Sequence, residues 1–539
     1  MRRFWHSTFL SSQRRSTLTA SVIGLDANRS WVARPVSSFS SVEILAEHLA
    51  LVANALEVEN VDYIVLDAEP NRRRTVVVTS RMAEAALTAM EKHLAGRGVY
   101  YQDVTGHTAS AARLVGHRSL PRSAARLRFF QVSSTLDGEV LSRDELACVL
   151  ELWRVTTKAE PAGPSLEMVP KGSWVAAVPG NIWADIVAPE AQQVTTAMVD
   201  GHRRPVLSVA AGAPHADSIT FPVDVVYTWV DGSDPDWQVR KNETLRAMGE
   251  ARALNAYAAN ASRFQSRDEL RYSLRSLEMF AGWVRHVYIV TDRQMPSWLD
   301  VSHPKVSVVD HRDLFGNRGR LPTFNSHAIE SQLHHIDGLS EQFLYLNDDI
   351  FFGRPVEPRR FFLSNGTGLS FPSRTRIAFG PATTHDAPVT SAAKNARRLS
   401  VEASGRQPMN KFKHAPQSMR RSVLAEIEQR FPVEHKLTSA AQFRTRDDVS
   451  IPSSLAHHYG YLTGRMTPGA IRYLYADIAQ PKTEERLGSL LRRHDVDVFC
   501  LNDHDSAGVD PVAQSRMLQD FLNAYFPLRS RFELDRDGD

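Results

Sequence analysis

Three observations predict an α/β fold for the larger, C-terminal part of this chain, built on a mostly parallel, doubly wound sheet. The apolar runs VDVVYTWV (223–230), HVYIVT (286–291) and FLYLN (343–347) read as strands buried on both faces. Segments of helical periodicity alternate with them, the pattern of strand–helix–strand crossovers. Two of the runs end in acidic turns, DGSDP (231–235) and NDD (347–349), at predicted strand carboxyl ends, where sheets of this kind bind ligands.

Bulk composition bounds the rest. The 539 residues are 42% hydrophobic and 23% charged, an ordinary globular balance with ample length for a buried core. With 64 basic against 61 acidic residues the net charge is +3, which does not mark a nucleic-acid binder. Two cysteines, Cys148 and Cys500, are too few for a disulfide framework or a thiolate zinc site. They read as small buried apolar residues in a reducing compartment. No apolar run is long enough to predict a transmembrane helix.

Residues 1–40 are Arg- and Ser-rich with Asp26 as the sole acid, but lack the apolar region of a secretory signal. They read as a disordered N-terminus or a start codon placed too early. Helices over 42–58 and 81–95 and strands at 62–66, 75–79, 126–132 and 148–155 make 41–202 a separate α/β unit, to which no motif gives a chemistry. Pro205, Gly212 and Pro214 make 203–220 a linker, and 221–535 the domain that carries the motifs. There, Ser266-Arg-Asp-Glu269 predicts a capping box opening a helix with Leu270, Leu274 and Leu277 on one face. KVSVVD (305–310) is a further strand, and a helix is expected over 326–337. The polar stretch 365–412 reads as a mobile lid or an insertion. A helix is expected from Pro416, burying Met419, Val423, Ile427 and Phe431, then a strand at 498–501 and a last helix from Pro511.

Asp348 and Asp349 offer hard oxygen ligands suited to Mg²⁺ or Mn²⁺, or else form a solvated acidic turn. Neighbours on a regular strand face opposite ways, so both serve one ion only if the chain turns there. Asp231, Gly232, Ser233 and Asp234 fit an ordinary turn, or one presenting amides and carboxylates to a nucleotide. Trp229 and Trp237 are candidates for stacking on a base, with core packing the default. His414, beside the expected helix N-terminus, would be kept neutral by the dipole and suits a general base; a capping-region histidine is the plainer reading. Arg444 and Arg446 could bind phosphate bidentately or pair with Asp447 or Asp448 at the surface. The doublets His334-His335 and His457-His458 lack further ligands at useful spacing and read as structural. Walker A, GxGxxG and GxSxG patterns are absent, and Asp503-x-Asp505 fails as an EF-hand because Gln514 stands where the loop needs Glu.

Four ordered blocks, DVVYTWVDGSDPDW (224–237), 263–358 with RDELRYSLRSL, LPTFNSHAIESQLHHI and FLYLNDDIFFG, 414–464, and 500–533 with CLNDHD and YFP, resemble the Stealth proteins. These are bacterial exopolysaccharide and capsule phosphotransferases, with the catalytic subunit of GlcNAc-1-phosphotransferase as a eukaryotic relative; the likeness is greatest to the actinobacterial type. The resemblance implies a Rossmann-like, nucleotide-diphosphosugar-transferase-like domain. It implies a transferase that moves sugar-1-phosphate from a UDP-sugar to a glycan hydroxyl in surface or capsular polysaccharide synthesis, releasing UMP. It also implies Mg²⁺ or Mn²⁺ at Asp348 and Asp349, and site roles for His414 and Arg444. Trp229, Asp231, Gly232, Ser233, Asp234, Arg271, Glu330, Asn502 and Asp503 match positions expected to bind substrate. The expected setting is the bacterial cytoplasm, at the inner face of the membrane with peripheral association. A metal-dependent glycosyltransferase releasing UDP, and a non-catalytic glycan- or nucleotide-binding protein, are the rival expectations.

Overall fold

The computed structural model describes residues 21–534 except 27–28, 67–71, 162–167, 177, 179–183, 249–263, 481 and 504–509. The chain divides into two compact units, one formed mainly by residues up to Ala211, the other by Gly212 onward with Ser38–Ile44.

In the first unit, strand Cys148–Val155 lies between Thr75–Thr79, parallel to it, and the antiparallel Arg126–Ser134. Leu49, Val52 and Leu56 of helix Ser41–Val58 and Leu87 and Met90 of helix Ala83–Leu94 pack with Val76, Leu127 and Leu150. The mixed sheet begins earlier than expected: Ser21–Asp26 and Arg29–Pro35 pair antiparallel, and the latter runs parallel to Arg126–Ser134. The expectation of disorder thus fails for 31–40, because Trp31 and Ala33 supply buried apolar surface that an averaged composition conceals; residues 1–20 and 27–28 lie outside the described residues. The linker expectation fails at its start. His202–Leu207 pairs with Val194–Val199, and Ser208–Gly212 is a short helix. Pro205 sits in a two-stranded pairing, where a missing N–H is tolerated, while Val206 and Leu207 are buried.

The second unit is built on a five-stranded sheet in the order Val306–Asp310, Val287–Thr291, Val223–Thr228, Gln342–Asn347, Gln417–Arg420. The first four are parallel and the last antiparallel. Val226, Val290, Phe343, Tyr345 and Met419 pack with helices Pro388–Ser404 and Arg421–Arg430. Tyr227 takes the opposite face, its hydroxyl 2.9 Å from Ser273 on helix Glu269–Phe280. Both faces are therefore covered, which makes the sheet a doubly wound α/β layer and explains why its strands read as apolar runs. A smaller sheet joins Ile350–Phe352 to Val498–Asn502 antiparallel and Tyr473–Asp477 to Val498–Asn502 in parallel.

Four local expectations are corrected. The helix after Ser266 starts only at Glu269, whose carboxylate accepts from the Arg267 backbone N–H at 2.5 Å; Asp268, at φ 66°, is the N-cap. The 326–337 helix is split into Ser326–Glu330 and a 3₁₀ turn, Leu333–His335. The stretch 365–412 contains a 17-residue helix, Pro388–Ser404, ordered by burial of Ala392, Ala396 and Leu399. His414 precedes no helix: Gln417–Arg420 is an edge strand on Gln342–Tyr345, and the helix starts at Arg421. Met419 is buried from that strand rather than from a helical turn, so the dipole argument for His414 lapses.

Candidate active site at the strand ends

Register brings the two acidic turns together. Thr228 pairs with Asn347 and with Val290, so the chain leaves three adjacent strands at one level. The strand order reverses at Val223–Thr228, which opens a crevice there.

The first turn is shaped by its own side chains. Asp231 Oδ1 accepts from the Ser233 N–H at 2.8 Å and from its hydroxyl at 2.6 Å, an Asx turn. Asp234 Oδ1 accepts from the N–H groups of Asp236 and Trp237, capping helix Pro235–Met248. Gln294, just past the neighbouring strand, donates to the Asp231 carbonyl and to Asp234 Oδ2, both at 2.8 Å. That donation holds the Asp234 carboxyl below its usual range. Gly232 is required by contact, since a Cβ there would overlap the Phe264 carbonyl oxygen. Trp229 is half-buried, whereas Trp237 is buried among Phe264, Phe324 and Phe443 and belongs to the core.

The second turn gathers carboxyls. The Asp349 carbonyl accepts from the Leu501 N–H, and its Oδ2 from Asn502 Nδ2 at 3.0 Å and Cys500 Sγ at 3.4 Å. Its Oδ1 is buried without a hydrogen-bond partner. Glu269 faces the same cluster from its helix. Withdrawal from water pushes the Asp348 carboxyl well above the usual range, and the Glu269 and Asp349 carboxylates push it further. Glu269 rises to about 7, raised by burial, held back by the Arg267 N–H and raised again by Asp349. Asp503 is tied to Arg267 at 2.6 Å, and Arg267 also lies 3.7 Å from Glu269.

A second group stands beside this one. The Tyr345 hydroxyl lies 3.0 Å from the Thr228 hydroxyl and has two acceptors for its one proton, Glu330 Oε1 at 3.1 Å and Asn347 Oδ1 at 3.0 Å. Arg444 donates to Ser326 at 2.8 Å, its Nε buried and unbonded. Asp448 fixes this loop, accepting from Asn325 Nδ2 at 2.8 Å and the Thr445 hydroxyl at 2.7 Å. The Arg446 guanidinium makes an exposed pair with Asp447, while its carbonyl accepts from Asn395 Nδ2 at 2.8 Å. His414 is exposed, its ring 5.5 Å from that of Tyr475, whose hydroxyl donates to Asn502. A chain of contacts thus links Asp349 to His414. Arg271 is not brought to the cluster. It is bonded to Glu533, at a helical step of about 200° from Glu269.

Glu269, Tyr345, Tyr475 and Cys500 belong to the site but were not singled out from sequence. Glu269 was legible only as a capping residue, and Tyr345 as one apolar-face position of a strand.

Comparison with known proteins identifies the family. Stealth conserved regions 1, 2, 3 and 4 match residues 221–249, 263–369, 413–461 and 489–538. An exopolysaccharide phosphotransferase of Streptomyces coelicolor is 42% identical across 99% of this chain and 88% of its own length. A second from the same organism is 41% identical over 91% of this chain and 51% of itself. The exopolysaccharide phosphotransferase CpsY of Mycobacterium tuberculosis is 38% identical over 63% of each. Among solved structures, the galactosyltransferase LgtC with donor and acceptor sugar analogues matches at 11% identity and a TM-score of 0.28, over 57% of this chain and 97% of its own. The chain belongs to the Stealth family.

Proposed function

We propose that the protein is an exopolysaccharide phosphotransferase that moves a sugar-1-phosphate from a UDP-sugar to a glycan hydroxyl and releases UMP. The observation that carries this reading is the carboxyl cluster at the strand ends, with its unpartnered Asp349 oxygen. A buried cluster in which the Asp349 carboxylate raises both Asp348 and Glu269 calls for a cation, and carboxylate oxygens suit Mg²⁺ or Mn²⁺. Asp348 and Asp349 would hold that ion, which would supply neutralisation of the diphosphate charge.

The protein's own groups do the rest. The 231–234 turn, stiffened by Gln294, offers a fixed wall to the nucleotide, with half-buried Trp229 at its base. Arg444 brings guanidinium donors to the same strand ends, suited to phosphate oxygens. His414, exposed on its loop against Tyr475, is assigned to take the acceptor hydroxyl's proton on its imidazole. Among the described residues no helix is long and apolar enough to cross a membrane. Peripheral action at the inner face of the bacterial membrane, where nucleotide-sugars are supplied, fits the proposed donor.

A panel of UDP-sugars assayed for nucleotide product tests the proposal. UMP with phosphate retained in the glycan supports it. UDP with no phosphate retained would make the protein an ordinary glycosyltransferase, and turnover of no donor a binding protein.

A further inference from the structure

The histidine doublet left as structural on sequence grounds acquires a third ligand in the fold. His334 and His335 lie on the 3₁₀ turn that follows the Glu330 helix. Both direct Nε2 at one oxygen, Glu428 Oε2 on helix Arg421–Arg430, at 2.6 and 2.9 Å. Their rings lie 4.0 Å apart between centroids. His435, from helix Pro432–Ser439, stands 3.6 Å from the other Glu428 oxygen while its Nε2 is bonded to the Ser331 carbonyl.

Ligand-capable atoms of His334, His335 and Glu428 all fall within 4.8 Å of one another. His334 Nδ1 is buried without a hydrogen-bond partner. An open cleft of about 390 Å³, lined by His334, His335, Glu341, Arg421, Ser422 and Glu428, gives this cluster access to water.

We infer that His334, His335 and Glu428 form a binding site for one transition-metal dication of the zinc class, separate from the Asp348–Asp349 cluster. Two imidazoles and one carboxylate are the borderline donor set that zinc prefers and that magnesium or calcium does not. Tetrahedral zinc with bonds of about 2.0–2.1 Å separates its ligand atoms by roughly 3.3 Å. The two imidazole-to-carboxylate distances, 2.6 and 2.9 Å, reach that spacing by lengthening by less than about 1 Å, with water from the cleft as fourth ligand. The ion joins the turn that continues from Glu330 to helix Arg421–Arg430. Its role is therefore to brace the segment carrying Glu330 and Ser326, the partner of Arg444, rather than to touch substrate.

The experiment is zinc titration of the chelator-treated full-length protein by calorimetry, with Co²⁺ absorption as a spectroscopic report of nitrogen ligation. One equivalent should bind, with a raised melting temperature. His335→Ala and the near-isosteric Glu428→Gln should each weaken binding by at least about tenfold, with Asp349→Asn leaving it unchanged. Glu428→Gln keeps the test decisive if His335→Ala does not fold. No zinc binding by the folded wild-type protein, or binding unmoved by folded Glu428→Gln, overturns it. Loss with Asp349→Asn alone would place the ion at the other cluster and also overturn it.

Discussion

Glu269→Gln isolates the electrostatic character of the proposed cation site. The folded protein holds this carboxyl at about 7 against an ordinary 4.5, chiefly through burial, with Asp349 adding to it. That rise corresponds to roughly 3 kcal/mol of folding free energy. The sign follows from proton counting. Between about pH 4.5 and about 7 the unfolded chain has released the proton and the folded chain has kept it. Stability of the cation-free protein therefore falls as pH rises, by about 1.4 kcal/mol per unit, and levels off above about 7. Asp348, also raised, adds in the same direction. Glutamine keeps the shape and can still accept from the Arg267 N–H, but removes the charge. The variant should lose most of the pH slope and, near pH 8, be more stable than wild type by up to roughly 3 kcal/mol when stripped of metal. Excess Mg²⁺ should restore wild type by mass action and help the variant less. Urea unfolding of chelated protein at a series of pH values measures both effects. A variant that follows the wild-type profile would show that these carboxyls are not coupled and would remove the basis for the cation assignment.

Other outcomes follow from the same geometry. Asp349→Asn should reduce transfer by about 10²–10³-fold or more, read as UMP release, without loss of folding, because it removes a ligand and a like charge together. His414→Ala should impair turnover strongly while UDP-sugar binding, followed by calorimetry, is retained; lost binding would reassign it to the donor. Gly232→Ala should destabilise the second unit by about 1–3 kcal/mol and weaken donor binding, since its Cβ meets the Phe264 carbonyl.

Individual residues show where sequence reading stopped. The strands at Val223–Thr228 and Gln342–Asn347 were legible because burial on both faces imposes an unbroken apolar run, which needs no knowledge of partners. Glu269 was not, because a Ser-x-x-Glu pattern describes a local cap equally well, and only the fold turns that carboxylate toward Asp348. The helix expected after His414 is a strand instead. Pro416 followed by spaced apolar residues imitates a helix start, but the free edge of Gln342–Asn347 recruits 417–420 as a strand. Arg271 matched a pattern yet points to Glu533, since a helix sends residues two apart to opposite sides.

By itself the sequence determined the α/β class, the positions of the two acidic turns and, through four ordered blocks, the family. These follow from short-range periodicity and from residue order along one chain. Tertiary structure alone decided that Thr228 stands opposite Asn347, that Asn502 reaches Asp349, and that Glu428 closes on His334 and His335. Each of those contacts joins segments tens to more than a hundred residues apart. Their meeting depends on strand register and helix packing, which no local pattern encodes.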